Sequence, residues 1–282
     1  LRLVFKNIHI YIVAVQYFFT GDFMHIRRVL VDNVNLDKGR VLTLSTQVSH
    51  HLTHVLRLGA GDAVILCDCA GGEARGVIES ILRGGVRVRI MQRCEPPAGG
   101  RELAMPVALA LPYLKSDKLE TALRMASELG AAAFYIFHCR RCVPGRVESA
   151  VARKKERWHD IVREAVRLSG RTVVPEIFGP FSFEEIMDEI TPKYSVILPY
   201  EGGGYPRISE VLQGLFPEGG RGRAKVNGIC LVTGPEGGFE PDEIKAAKGH
   251  GVLICSLGAR ILRAETAPIA ALCATLAMTG EM

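Results

Sequence analysis

The sequence predicts an α/β protein in which a small β-barrel-like domain precedes a larger domain built on a parallel sheet. Three observations carry that expectation. Residues 27–94 read as short apolar runs broken by turns, ending in the strict alternation of Val86-Arg-Val-Arg-Ile90. Later runs, such as Ile229-Cys-Leu-Val232 and Val252-Leu-Ile-Cys-Ser256, are apolar without alternation, as strands covered on both faces require. Between the two patterns stands Pro96-Pro-Ala-Gly-Gly100, where proline and glycine stop helix and strand alike, so residues 95–100 read as a linker.

In chain order, residues 1–23 come first, aliphatic and aromatic but interrupted by Lys6, Asn7, His9 and Gln16. The apolar stretch is too short for a membrane span, and Met24 opens what reads as a natural start; the segment is expected to be non-native or an over-extended reading frame. Strands are expected at Val41-Leu-Thr-Leu44, Ala63-Val-Ile-Leu-Cys67, Ala74-Arg-Gly-Val-Ile78 and residues 86–90, with one helix at 49–58 placing Leu52, Val55 and Leu56 on one side. After the linker, Pro106-Val-Ala-Leu-Ala-Leu111 is a strand. A helix is expected from Asp117, capped by that side chain with Glu120 closing a capping box, and ended by Gly130. Ala133-Phe-Tyr-Ile-Phe137 is the next strand, residues 149–168 a long helix, and Ser182 with Glu185 caps a shorter one. Strands follow at Ser195-Val-Ile-Leu198, 229–232 and 252–256, and Pro241 suits the first turn of a helix. The last helix, residues 268–278, is apolar on nearly every face and must be buried in the domain or against a second copy.

The chain has 282 residues, 48% hydrophobic and 23% charged, enough to bury one large or two moderate cores. Its formal net charge of +5 permits an anionic partner without requiring one. Basic residues outnumber acidic ones over 140–171, and Arg27, Arg28, Arg57, Arg140, Arg141 and Arg171 are candidate phosphate contacts, although most charge on such a helix is ordinarily a solvated face. Eight cysteines, mostly in apolar runs, read as reduced thiols of a cytosolic protein. Cys139-x-x-Cys142 and Cys67-x-Cys69 each offer half a zinc site, but neither has a second pair at suitable spacing, and His50-His51-x-x-His54 lacks a carboxylate or thiol partner; no metal is expected.

The chemistry concentrates in two segments, Leu231-Val-Thr-Gly-Pro-Glu-Gly-Gly-Phe239 and Leu257-Gly-Ala-Arg-Ile-Leu-Arg-Ala-Glu-Thr-Ala267. Each is an apolar run opening into glycine and charge, and two such loops at neighbouring strand ends would form a cofactor crevice. On spacing alone, the glycines read first as tight turns between a buried strand and a helix, and only second as ligand contacts. Glu236 stays open between a general base, a ligand to a ribose hydroxyl and a cap for a neighbouring amide. Arg260 and Arg263 with Glu265 form either an internal salt bridge or a positive edge for an anion. No dinucleotide fingerprint, Walker motif or hydrolase elbow is present.

These two loops resemble the RsmE family of ribosomal RNA methyltransferases, of the SPOUT class, and the likeness runs from Met24 to Gly280. It includes His25-Ile-Arg-Arg-Val-Leu30, His51-Leu-x-x-Val-Leu-Arg57, Ser127-Glu-Leu-Gly130, Arg140-Arg141, Ser169-Gly-Arg171, Gly234-Pro-Glu-Gly-Gly-Phe239 and Ile261-Leu-Arg263 with Glu265-Thr-Ala267. The resemblance implies a PUA-like RNA-binding barrel over 24–94 and a SPOUT methyltransferase domain over 101–282. It also implies a deep C-terminal trefoil knot, a homodimer, and a cytoplasmic enzyme without membrane or metal. Its cofactor would be S-adenosylmethionine. Its reaction would be methylation of N3 of one uridine in 16S ribosomal RNA, in the small subunit or its late precursor. By the same resemblance Leu198, Pro199, Glu201, Thr233, Gly234, Gly237 and Gly238 line the cofactor site, and Leu257, Gly258, Ile261 and Leu262 hold the adenine. Arg263, Glu236 and Glu265 stand as catalytic residues near the methyl group. Three positions depart from the pattern: Leu168 replaces glutamine, Cys142 a serine, and Thr233 an aliphatic residue. The rival is a non-catalytic RNA-binding or ribosome-assembly protein with a vestigial cofactor site, which a degenerate glycine loop would favour.

Overall fold

The computed structural model describes residues 27–32, 34–95, 100–142, 147–216 and 227–282, with backbone alone for Ser116 and residues 147–153. The anomalous segment 1–23 and most of the linker lie outside the described residues. Two compact units divide after Glu95.

The first unit is a five-stranded sheet. Its strands are β1 (Arg27–Leu30), β2 (Val41–Thr43), β3 (Ala63–Cys67), β4 (Glu73–Leu82) and β5 (Gly85–Arg93), in the order β1-β3-β4-β5-β2. Only the β1–β3 pair is parallel. One core, including Val29, Leu36, Leu52, Leu66, Ile78, Val88 and Ile90, fills its inner side. The helix expected at 49–58 differs: α1 (Thr46–His50) starts three residues earlier and passes into a π-helical turn (His51–Val55). Ser45 sets the start, its hydroxyl accepting a hydrogen bond from the Val48 N–H at 3.4 Å. The wider π turn changes the angular spacing of successive side chains, so Leu52 packs inward while Val55 is 60% exposed.

The second unit is a six-stranded sheet of β6 (Val107–Pro112), β7 (Ala133–His138), β8 (Glu176–Ser182), β9 (Ser195–Pro199), β10 (Ile229–Val232) and β11 (Leu253–Cys255). All pairs are parallel, in the order β11-β9-β10-β6-β7-β8. Its helices are α2 (Ser116–Glu128), α3 (Val147–Ser169), α4 (Phe183–Ile190), α5 (Ile208–Leu215), α6 (Pro241–Gly249) and α7 (Ala267–Thr279). Strand alternation sorts them into two layers. Val107, Leu109, Leu111, Ile229 and Leu231 face a core with Leu123, Trp158, Leu212 and Leu272 from α2, α3, α5 and α7. Ala108, Ala110, Cys230 and Val232 face Ile186, Met187, Ile244 and Ala247 from α4 and α6. With both faces covered, the central strands need apolar side chains throughout, which explains their unbroken runs.

Two local expectations change. Helix α2 is capped at Lys115 without a side-chain bond, and Asp117 lies inside its first turn. Glu120 closes no capping box; it takes a fork of hydrogen bonds from Arg157 at 2.7 and 2.8 Å, joining α2 to α3. By contrast, Ser182 and Glu185 do form the capping box of α4, and Pro241 occupies the first turn of α6. Among the described residues, no helix is long and apolar enough to cross a membrane.

Candidate functional site

A crevice of about 510 Å³ opens at the carboxyl ends of β9, β10 and β11. Ligands of open parallel sheets bind at such ends, where the strand order reverses direction. Here the chain runs outward through β6, β7 and β8, then returns to place β9, β10 and β11 on the other side. The end of β9 and the loop after it supply Pro199, Tyr200 and Glu201; the loop after β10 supplies Thr233 to Gly238; the loop after β11 supplies Ser256 to Ala264. Lys118, on α2, completes the wall.

Glycine is needed at two points. Gly238 has φ +70°, and a β-carbon there would stand 2.1 Å from Oε1 of Glu201, so the carboxylate packs directly on its backbone. A β-carbon on Gly237 would lie 2.9 Å from Cβ of Arg141. The Gly238 N–H donates to the Pro235 carbonyl at 2.9 Å and closes the turn. Arg141 braces it from behind, donating to Glu240 at 2.8 Å and to the Gly237 carbonyl at 2.9 Å. Glu243 fastens the same region through the Arg140 N–H at 2.9 Å and the Glu240 N–H at 2.8 Å.

Inside the crevice, the Lys118 ammonium donates to Glu236 Oε1 at 3.0 Å. Partial burial pushes the Glu236 carboxyl up, but the hydrogen bond and charge of Lys118, with a backbone N–H, hold it below its ordinary value. Lys118 is raised in turn, first by the bond to Glu236 and further by the charges of Glu236, Glu265 and Asp117. Arg263 is 81% exposed and lies 3.9 Å from Glu265, whose buried Oε2 has no hydrogen-bond partner among the described residues. Thr233 is 1% exposed, and among the described residues its hydroxyl also lacks a partner.

Of the expected cofactor residues, Pro199, Glu201, Thr233, Gly234, Gly237, Gly238, Leu257, Gly258, Ile261 and Leu262 all line this one crevice, with Glu236 and Arg263. Leu198 does not: it is wholly buried in the sheet core, because its side chain points to the face covered by α4 and α6. Glu265 stands behind Arg263 rather than on the wall. Sequence reasoning missed Lys118, Tyr200 and Ser256. Lys118 stands in the charged stretch Lys115-Ser-Asp-Lys118, but nothing in its spacing indicates that α2 delivers it to Glu236.

The expected phosphate contacts divide. Arg27, Arg57 and Arg140 are exposed. Arg28 is largely buried and paired with Glu73, so it is a strut of the first unit and not a surface cation. Arg171 is corrected for the same reason. At 3% exposure it holds Glu102 and donates to the carbonyls of Ser127 and Ala131 at 2.8 and 3.0 Å, which leaves no surface for RNA. Arg141 is committed to the glycine loop. The histidines at 50, 51 and 54 form no ligand set: His50 and His54 stack at 4.3 Å, His54 Nδ1 lies 2.8 Å from the Thr53 hydroxyl, and no group of three or more metal-ligating side chains exists among the described residues.

The crevice suits a nucleoside cofactor bearing charge at one end. Its size falls in the ordinary range of about 300–1,000 Å³ for ligand pockets. The backbone N–H groups of Leu257, Ile261 and Leu262 have no protein partner among the described residues, so they stand ready for a base edge. Carboxylates at Glu201 and Glu236 suit hydroxyl or ammonium groups.

Fold and crevice together define a class. Residues 101–276 match the model of the RNA methyltransferase domain, and residues 44–91 that of the RNA methyltransferase PUA domain. The chain is 30% identical to ribosomal RNA small subunit methyltransferase E of Bacillus subtilis, over 85% of this chain and 91% of that protein. It is 31% identical to the Mycobacterium tuberculosis protein of the same name, over 87% and 89%. The solved Neisseria gonorrhoeae ribosomal RNA small subunit methyltransferase E, bound to S-adenosyl methionine, superposes with a TM-score of 0.76 at 25% identity, covering 89% of this chain and 97% of that one. A methyltransferase from Legionella pneumophila with bound cofactor gives 0.75 at 27% identity, over 90% and 98%. The chain belongs to the ribosomal RNA small subunit methyltransferase E family.

Proposed function

We propose that this protein transfers a methyl group from S-adenosylmethionine to N3 of one uridine in 16S ribosomal RNA of the small subunit. The observation that carries the reading is the convergence of three strand-end loops on one crevice, with a φ-positive glycine against Glu201 and backbone N–H groups in the loop after β11 that have no partner among the described residues. Leu257, Ile261 and Leu262 hold the adenine edge, while Glu201 and Glu236 orient the ribose and amino-acid portions. The cofactor supplies an activated methyl on a sulfonium. The protein's own task is then to place the base and favour its anion, since uridine N3 is a poor nucleophile until its proton leaves. Arg263, exposed at the mouth and permanently charged, stabilises the negative charge developing on the base oxygen. Glu265 positions Arg263. Glu236, held acidic by Lys118, is a weak base and serves to orient rather than to take the proton.

The same reading assigns the first unit as a PUA-like barrel and gives the C-terminal part of the second unit a deep trefoil knot. The return of the chain across β9 to reach β11 supports that topology. Ile269, Ala270, Cys273 and Ala274 remain only half-buried on α7, which supports a two-fold partner on that face and a homodimer. Arg27, Arg57 and Arg140 are the remaining candidates for phosphate contact. No membrane-spanning helix occurs among the described residues, and the working site is the cytoplasm, on the small subunit or its late precursor. A vestigial site is disfavoured because the glycine loop keeps its geometry. Isothermal titration of the purified chain tests the first step: S-adenosylmethionine binds, and no measurable heat with it or its demethylated product removes the proposal.

A further inference from the structure

The turn that closes β7 carries a pair of thiols which the methyl-transfer site leaves unused. Cys139 and Cys142 bring their sulfur atoms to 3.4 Å, and the turn is closed by the Cys142 N–H donating to the Cys139 carbonyl at 3.1 Å. The Cys139 N–H also points to the Cys142 sulfur, at 3.3 Å. Both residues are partly exposed, unlike the buried Cys230 and Cys255. A disulfide needs its sulfur atoms at about 2 Å, so a small rotation about the side chains closes the pair.

From this geometry we infer that Cys139 and Cys142 form a reversible dithiol–disulfide site whose oxidation state acts on the cofactor crevice. The two residues inside the ring are Arg140 and Arg141, and these are the braces of the glycine loop. Arg141 donates to Glu240 and to the Gly237 carbonyl, and the Arg140 N–H donates to Glu243. Since a β-carbon on Gly237 would already crowd Arg141, the turn and the loop are in direct packing contact. Drawing the sulfurs together tightens the turn and moves Arg141 against Gly237. The thiols are also set apart chemically. Cys142 is held below the ordinary thiol value, first by the hydrogen bond from Cys139, with burial opposing, while Cys139 is raised. Cys142 is therefore the attacking thiolate.

The chemistry balances with an oxidant of the small-disulfide class. The Cys142 thiolate attacks one sulfur of a small disulfide, releasing one thiolate. The Cys139 thiol then attacks the mixed disulfide, loses its proton and releases the second. The protein dithiol is oxidised by two electrons, and the small disulfide is reduced to two thiols. The oxidation itself is independent of the proposed function; its effect on the crevice rests on that reading.

The full chain, treated with oxidised glutathione and then with dithiothreitol, tests both parts. Peptide mass mapping is expected to show a Cys139–Cys142 crosslink lacking two hydrogens, restored on reduction, and absent from Cys142→Ser and Cys139→Ser. Calorimetry is expected to show that the oxidised chain binds S-adenosylmethionine at least about threefold more weakly than the reduced chain, the double variant Cys139→Ser/Cys142→Ser being indifferent to the oxidant. No crosslink, or crosslinks to other cysteines only, overturns the site. A crosslink with unchanged affinity overturns the coupling. Reduced protein that fails to bind the cofactor at all refutes the functional reading and leaves the dithiol standing on its mass signature.

Discussion

Gly238 concentrates the constraints of the crevice into one backbone angle. Its φ of +70° costs an L-residue about 1–2 kcal/mol, and a side chain would meet the Glu201 carboxylate besides. Gly238→Val is expected to keep the fold and weaken cofactor binding by about tenfold or more in a titration; unchanged affinity would place the ligand elsewhere. Lys118 offers a test with a sign. It holds Glu236 below its ordinary proton affinity, so the carboxylate stays ionised as pH falls. In Lys118→Met the Glu236 proton returns at higher pH, and the acid limb of the cofactor-binding profile should shift toward neutral. The roles of Ile261 and Leu262 rested on the family resemblance alone, whereas the glycines and Arg263 were legible because backbone freedom and charge stand out against apolar runs. Lys118 was not, since its role depends on how α2 lies against the loop after β10. Leu198 misled for a related reason: strand alternation turns it to the core and leaves Pro199 at the mouth.

Secondary structure followed the hydrophobic pattern wherever strands were buried on both faces. Ile229-Cys-Leu-Val232 was read to the residue. Strand β8 escaped because it lies at the sheet edge, is only partly buried, and contains Gly179 and Pro180, which read as a break. Helix α5 carries Ile208, Val211, Leu212 and Leu215 at helical spacing, but glycines before it obscured the start. The basic residues following α3 illustrate a different limit, since charge alone does not reveal burial. Arg171 closes the gap between α2 and the segment holding Glu102. Arg171→Met is expected to destabilise the fold by about 2–3 kcal/mol in urea, less than for a wholly buried pair because Glu102 keeps part of its surface in water. RNA affinity of the folded fraction should be unchanged; a selective loss of RNA binding at unchanged stability would restore Arg171 to the interface. Helix α7 carries a similar test: Ala277, exposed at its outer side, becomes a buried charge in Ala277→Asp if that face pairs two copies. Sedimentation is expected to show a dimer for the native chain and a monomer for the variant, and a native monomer would refute the pairing.

The sheet order sets the chemistry of the whole molecule. Placing β9, β10 and β11 side by side gathers three loops that are distant in sequence, and no local pattern encodes that adjacency. Two-unit organisation was visible in the change of period at the proline-rich segment, and a crevice between the two glycine-bearing loops was expected; the strand order, which sets β9 between β10 and β11 and brings a third loop to the site, was not legible. The central claim is that this crevice directs a methyl group to uridine N3 in 16S ribosomal RNA. The most direct measurement incubates the purified protein with labelled S-adenosylmethionine and small ribosomal subunits lacking the modification, then identifies the modified nucleoside by mass spectrometry. N3-methyluridine at a single position is predicted, lost in Arg263→Ala while cofactor affinity persists. A methyl on ribose or on a base carbon, or none on either free RNA or subunits, would contradict it.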